Sequence, residues 1–460
     1  TYRTFHNETI YIDAGMRANP YQIARYARML ELDQREVLQN VLMSRAFTVY
    51  QLSTILQELL EPLIQNHGPR TLLIGMLPAL YQDLKAAPIR NILANISQVK
   101  YLNEVVLTLA RADKKGLAEA KEMFSSLPMP VSIIWNDGDN IQDLYRCLEK
   151  QGVSAGGDGK GRSAWMAYGY ILARGQSDVI ALHDCDIVNY DRELLARLCY
   201  PVANPNLDYE FCKGYYARVT DRLHGRVTRL FVTPLIRALK KMFGFHNFLE
   251  YLDSFRYILA GEFSMRADLA RINRIPGDWG LEVGVLAEVY RNCSLRRICQ
   301  VEITDFYEHK HQPLSENDQT TGLNKMSIDI GKTIFRTMAS MGIYFHSGWI
   351  KTLKATYLRT AQDFIAKYSH DSEIDGLQFD RHQEAVAVET FVNGINVACE
   401  EFEQDPFGAP QIPNWSRVTS AIPDFSPSAL TPPLCSCPKW VYLLFSPSRR
   451  PPSLPPCSVS

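Results

Sequence analysis

The sequence predicts an α/β protein whose central sheet is mostly parallel and flanked by helices. Three observations predict it. Short apolar runs alternate with helical stretches between residues 71 and 182. Asp113, Asp137 and Asp184 each follow one of those runs, and the carboxyl ends of parallel strands are where such sheets bind ligands. Finally, 46% of the 460 residues are hydrophobic, enough for a sizeable core.

Residues 20 to 66 carry apolar positions at helical spacing, first over Tyr21–Leu30 and again over Val49–Leu63. They hold no catalytic cluster. The expectation is a helical N-terminal extension over residues 1–69, used for self-association, with a homodimer as the assembly. Asn66-His67-Gly68-Pro69-Arg70 is a breaker cluster that closes it. Thr71 to Leu77 is then an apolar run ended by Pro78, which suits a buried strand. Similar runs follow at Glu104–Leu109, Val131–Trp135 and Val179–Leu182, with helices at about 86–98, 116–126, 140–150 and 162–174.

The second half is less regular. Strands are expected over Tyr209–Tyr216 and Ile298–Thr304, and helices over Val227–Met242 and Thr321–Met341. Residues 70–345 therefore read as one domain with two halves, 70–190 and 191–345. Residues 346–425 read as a helical C-terminal region, most regular over 350–403. Proline becomes frequent after Asp405. The tail 426–460, rich in Pro, Ser and Cys from Thr431 onward, reads as disordered.

Charge and cysteine content exclude several classes. The 49 basic and 50 acidic residues leave a formal charge of -1, which gives no basis for a nucleic-acid partner. Ten scattered cysteines form no C-x-x-C pair, which argues against a metal–thiolate site and for a reducing, cytoplasmic setting. No secretory signal pattern opens the chain, and no apolar run reaches the ~18 residues of a membrane helix, so no membrane partner is expected.

Five clusters carry chemistry. Asp184-Cys185-Asp186 closes an apolar strand, so both carboxylates point to one face, where they can share a divalent cation. Hard oxygen ligands suit Mg²⁺ or Mn²⁺. Taken alone, such a triplet is equally a pair of solvated or helix-capping acids, and Cys185 on the other face suits core packing. Gly156-Gly157-Asp158-Gly159-Lys160-Gly161 opens a helix, where glycines and the helix N-terminus favour a phosphate, or simply make a surface turn. It is not a Walker A loop. His224-Gly225-Arg226-Val227-Thr228 begins a helix with a guanidinium and a hydroxyl that suit a phosphate or carboxylate, or a solvated helix start. Glu282, in Gly280-Leu281-Glu282-Val283-Gly284, is a carboxylate in an apolar setting that suits a sugar hydroxyl or an anomeric carbon, or a helix cap. Glu308-His309-Lys310-His311 follows a strand and offers a metal ligand, though two histidines alone make a poor zinc site.

In order, these clusters resemble the glucosyl-3-phosphoglycerate synthases, retaining glycosyltransferases of the Rossmann-like GT-A fold. The resemblance covers about residues 70 to 345. It rests on Leu77-Pro78-Ala79-Leu80, Gly159-Lys160-Gly161, Asp184-Cys185-Asp186, Gly225-Arg226-Val227-Thr228, Leu259-Ala260-Gly261-Glu262-Phe263, Gly280-Leu281-Glu282-Val283-Gly284 and His309-Lys310-His311-Gln312-Pro313-Leu314. Seven short motifs in the right order are specific where each alone is not.

The resemblance implies that Pro78, Ala79 and Leu80 line a uridine pocket. It implies that Lys160 meets the donor diphosphate or sugar, with Asp113, Asp184 and Cys185 also on the donor side. Asp184, Asp186 and His309 would be the metal site for Mg²⁺ or Mn²⁺. Gly225, Arg226, Thr228 and His311 would bind 3-phosphoglycerate. Glu282, Lys160 and Asp184 would be the catalytic set, acting on UDP-glucose. The sequence departs from the family where Tyr81-Gln82-Asp83 replaces Asn-Glu-Glu, and where His311 replaces Asn. A GDP-mannose-dependent transferase and a non-catalytic nucleotide-sugar-binding protein are the alternative functions. An NAD enzyme is disfavoured because no G-x-G-x-x-G follows the first strand.

Overall fold

The structure, a computed structural model, describes residues 9–13, 20–30, 32–39, 41–45, 71–75, 87–304, 307, 314–315, 318–346, 348–406, 411–422 and 440–445. They fall into two compact units, Thr1–Ala87 and Pro88–Ser460.

The first unit holds a three-stranded parallel sheet in the order β2-β1-β3, formed by β1 (Thr9–Asp13), β2 (Val41–Arg45) and β3 (Thr71–Gly75). Helices Pro20–Met29 and Gln34–Gln39 lie between the first two strands in sequence. The N-terminal extension is thus not purely helical. The apolar run at Thr71 is a strand as its sequence requires, but it pairs with Thr9–Asp13. Strand propensity is local, whereas the choice of partner is made by distant segments. The expected Val49–Leu63 helix lies outside the described residues.

The second unit is built on a seven-stranded sheet in the order β5-β4-β10-β6-β8-β7-β9. Its strands are β4 (Leu102–Leu109), β5 (Val131–Trp135), β6 (Val179–Asp184), β7 (Phe211–Tyr216), β8 (Phe263–Arg266), β9 (Ile298–Thr304) and β10 (Trp440–Phe445). β4, β5, β6, β7 and β9 run in one direction as expected, but the reversed β8 and β10 each insert between two of them, so the sheet is mixed and four of its six pairings are antiparallel. β10 lies in the tail whose composition suggests disorder. That expectation does not hold for these six residues: a run of aromatic and aliphatic residues has found two strand edges to pair with.

Helices cover both faces of this sheet. Helix Lys160–Arg174 is buried over Ser163–Ile171. Trp165 stacks on Trp415 at 4.4 Å between ring centroids. Trp165 Nε1 donates to Pro413 O at 2.7 Å and Trp415 Nε1 to Trp165 O at 2.8 Å, so both indoles are buried with their polar edge satisfied. The long C-terminal helices Trp349–Ile374 and Arg381–Gln404 pack on helices Thr233–Phe243 and Gly322–Ser340. Their buried residues, among them Tyr357, Phe391 and Ile395, belong to the same core as Trp165 and Phe231. They are part of the fold that carries the site. Among the described residues no helix is long and apolar enough to cross a membrane.

Candidate active site

β6 ends at Asp184, and the two-residue period of extended chain sorts the next few side chains. Cys185 and Ile187 are buried in the core, while Asp184 and Asp186 are half-buried on the opposite side. Lys160, the first residue of its helix, donates from Nζ to Asp184 Oδ1 at 3.2 Å and to Glu282 Oε1 at 2.7 Å. Glu282 sits in the first turn of helix Leu281–Asn292 and is buried. Burial works against the charge on Lys160, but Asp184 and Glu282 outweigh it and hold the ammonium protonated well above the ordinary lysine range.

Glycines explain why two helix starts from distant parts of the chain meet. A Cβ at Gly161 would lie 1.8 Å from Pro276 O, and one at Gly159 would lie 2.4 Å from Gly277 O. The turn before Lys160 therefore packs backbone to backbone against the loop before Glu282. These glycines are needed for that contact, whatever else approaches them.

The acids are crowded. Burial raises the pKa of Asp184, Lys160 lowers it, and Glu262, Asp186 and Glu282 raise it further. Burial and the charge of Glu262 also raise Asp186. Glu262 is fully buried and accepts from Tyr216 Oη at 2.8 Å and from Tyr307 Oη. Beneath them, Lys213 is buried on β7, donates to Ala260 O at 2.6 Å, and is pushed down to about 8, chiefly by burial.

A divalent cation fits this donor set. Lys160 pairs with Asp184 and Glu282, and the charges of Asp186 and Glu262 add to the crowding of acid around Asp184. Gly261 leaves open a cradle where a Cβ would come within 2.8 Å of Asp184 Oδ1 and 3.0 Å of Lys160 Nζ. Asp184 and Asp186 supply hard oxygen ligands. Among the described residues no third His, Cys, Asp or Glu completes a metal cluster, and His309 lies outside them.

A cavity of about 270 Å³ opens on the same residues. Lys160, Asp184 and Glu282 line it together with Arg218, Gly225, Arg226, Thr228, Tyr257 and Trp279. Gly225 has φ +70°, a left-handed turn that suits glycine and directs the start of the next segment. That segment, Val227–Val232, is a π-helical turn leading into helix Thr233–Phe243. Among the described residues, the buried hydroxyl of Thr228 has no hydrogen-bond partner, and neither has the buried Nε of Arg218. Arg218 Nη1 donates to Tyr257 Oη at 3.0 Å. Arg226 Nε donates to Glu384 Oε1 at 2.9 Å.

The sequence-derived candidates thus divide. Lys160, Asp184, Gly225, Arg226, Thr228 and Glu282 share one cavity, with Asp186 beside it in the acid cluster. Asp113 instead is exposed and caps helix Lys114–Phe124 by accepting from Gly116 N at 2.7 Å, so local helix chemistry already uses its carboxylate. Cys185 packs in the core, where burial pushes its thiol up. Pro78, Ala79, Leu80, His309 and His311 lie outside the described residues.

Sequence reasoning passed over Arg218, Tyr257 and Trp279, and gave Glu262 no role. Arg218 carried a signal: it stands two residues past the end of a strand, on the edge where ligands bind. Tyr257 had none, because the turn containing it has no regular period.

No family model matches the chain. A glucosyl-3-phosphoglycerate synthase from Persephonella marina is 49% identical over 369 residues, 80% of this chain and 91% of that protein. Another, from Methanococcoides burtonii, is 38% identical over 354 residues, 76% of this chain and 86% of that protein. Among solved structures, mannosyl-3-phosphoglycerate synthase from Rubrobacter xylanophilus superposes with a TM-score of 0.38 at 20% identity, over 58% of this chain and 82% of that one. Glucosyl-3-phosphoglycerate synthase from Mycobacterium tuberculosis, in complex with Mn²⁺, UDP-glucose and phosphoglyceric acid, gives 0.37 at 20% identity, over 55% and 84%.

An α/β sheet with paired acids at a strand end, facing a lysine and a basic helix start, is in this case a glycosyltransferase. Sequence identity across most of both relatives narrows the class, and the chain belongs to the glucosyl-3-phosphoglycerate synthase family.

Proposed function

We propose that this chain transfers glucose, with retention of configuration, from UDP-glucose to the 2-hydroxyl of 3-phosphoglycerate, and that it needs a divalent cation. One observation carries the reading. A single cavity gathers Lys160, Asp184 and Glu282 with Gly225, Arg226 and Thr228. The first three suit a nucleotide-sugar donor, and the last three suit a small phosphorylated carboxylate. The names of the relatives from P. marina and M. burtonii support glucosyl-3-phosphoglycerate as the product.

Lys160 keeps its positive charge because Asp184 and Glu282 hold it, so it can face the diphosphate as that group departs. Asp184 and Asp186 would hold Mg²⁺ or Mn²⁺, with His309 as a third ligand, and the cation would offset diphosphate charge as a Lewis acid. Glu282 lines the same cavity and holds Lys160, and its carboxylate would meet the donor sugar. Arg226 and the unpartnered Thr228 hydroxyl fix the acceptor, which lowers the entropic part of the barrier. Buried polar atoms without partners are costly in a folded chain, so their place in this cavity favours a polar ligand.

Incubation with UDP-glucose, Mg²⁺ or Mn²⁺ and 3-phosphoglycerate, followed by mass analysis, tests the reading. Glucosyl-3-phosphoglycerate and UDP are expected. Product with GDP-mannose and none with UDP-glucose overturns the donor. Product only with a different acceptor overturns the acceptor.

A further inference from the structure

Glu384 lies on helix Arg381–Gln404, far in sequence from every motif of the site, yet it is buried against the cavity wall. Its Oε1 accepts from Arg226 Nε at 2.9 Å, and its Oε2 lies 2.9 Å from Arg229 Nη2. Arg229 does not line the cavity. It is fixed by donating from Nε to His224 O at 2.8 Å and from Nη2 to Leu223 O at 3.3 Å, with its guanidinium 4.8 Å from the centre of the Tyr368 ring. Arg226 does line the cavity, and its Nη groups make no hydrogen bond among the described residues.

One carboxylate thus joins a guanidinium pinned to the backbone and one left facing ligand. The arithmetic of charge matters here. Glu384 with Arg226 alone would sum to zero and cancel the attraction for an anion. With Arg229 the trio carries +1, so Arg226 is both held still and still electropositive. A second tie lies beside it: Arg222 Nη2 donates to Gln378 Oε1 at 3.0 Å, and Gln378 N donates to Asp221 O at 2.7 Å. The turn from Gln378 to Glu384 therefore clamps the stretch from Asp221 to Arg229 at two points.

We infer that Glu384 is a positioning residue for acceptor binding: it aims Arg226 at the anionic groups of a small phosphorylated carboxylate. The inference rests on the reading above that Arg226 anchors the acceptor. It makes the C-terminal helix pair part of the acceptor site, and it predicts a defect confined to one substrate.

The test compares kcat and both KM values in the full chain for the wild type, Arg226→Ala, Glu384→Gln and the double variant, with UDP-glucose and 3-phosphoglycerate. Glu384→Gln should raise the KM for 3-phosphoglycerate about tenfold, as loss of a charge-assisted hydrogen bond does. The KM for UDP-glucose should stay within about twofold, and the double variant should bind 3-phosphoglycerate no worse than Arg226→Ala, because both act through one guanidinium. A KM for 3-phosphoglycerate that rises in Arg226→Ala but not in Glu384→Gln overturns the inference. So does an equal rise in both KM values with a lowered Tm, which marks general destabilisation. No change in either single variant removes the acceptor reading beneath it instead. Should Glu384→Gln not fold, Glu384→Asp keeps the charge, shortens the reach to Arg226 and must show the same one-substrate defect.

Discussion

The part of the cavity lining around Lys160 and the part around Arg226 are held in opposite ways. Lys160 bridges Asp184 and Glu282, so one ammonium fixes both carboxylates. In the Arg226 part, Thr228 Oγ1 and Arg218 Nε have no partner among the described residues, and Arg226 is held by a carboxylate 158 residues away in sequence. The comparison teaches that one part is set by internal charge pairing and close backbone packing. The other is set from outside, by a helix that carries no motif, and keeps its donors open for a ligand.

The sharpest way to break the contrast is to remove a member of the paired part. Asp184→Asn takes one carboxylate from Lys160 and one ligand from the acid pair. UDP release should fall by about 10²–10³-fold, as when a preorganised charge is lost from a reacting centre. Steady-state rates over a Mn²⁺ titration measure it, and wild-type turnover at any Mn²⁺ concentration would sink the assignment.

A smaller effect should follow from attacking the backbone contact. In Gly161→Ala the new Cβ meets a carbonyl oxygen of the 276–277 loop, not a flexible side chain. Urea denaturation should record a loss of about 3 kcal/mol, the upper range for overpacking. Unchanged stability would mean that the two loops are not held together by their glycines.

The smallest expected effect concerns the buried Lys213. Burial depresses its pKa to about 8 from an ordinary 10.5. Between those values the unfolded chain binds the proton and the folded chain does not, so this residue's contribution to stability rises with pH. Below pH 8 both states are protonated and the cost of burying the charge is fully present. Lys213→Met should therefore gain on the wild type at pH 7 and lose about 2.5 kcal/mol of that advantage by pH 10. Urea midpoints at the two pH values decide it; a constant difference would show that Lys213 does not titrate in this window.

How much of this was legible in the sequence depended on the range of the cause. β5 and β9 fall where their apolar runs end, because strand period and flanking breakers are local. Asp184 and Lys160 were found for the same reason: each stands at a strand end or helix start that the pattern marks, whereas Glu282 was marked only by its apolar, glycine-flanked setting. Asp113 also stood at a strand end, but its carboxylate was already engaged by Gly116 N, a competition between capping and binding that spacing cannot settle. Leu281–Asn292 was not foreseen as a helix, its nearly all-round burial leaving no amphipathic stripe to read.

By itself, the sequence determined the α/β class, most helices and strands of the second unit, and the residue types able to hold a cation, a diphosphate and a small anion. Those come from periodicity, breakers and side-chain chemistry, which act over a few residues. Tertiary structure alone decided that Thr71–Gly75 pairs with Thr9–Asp13, that Trp440–Phe445 lies between β4 and β6, and that Glu384 holds Arg226. Edge pairing and buried ion pairs depend on which distant segments arrive together, and that is set only when the whole core closes.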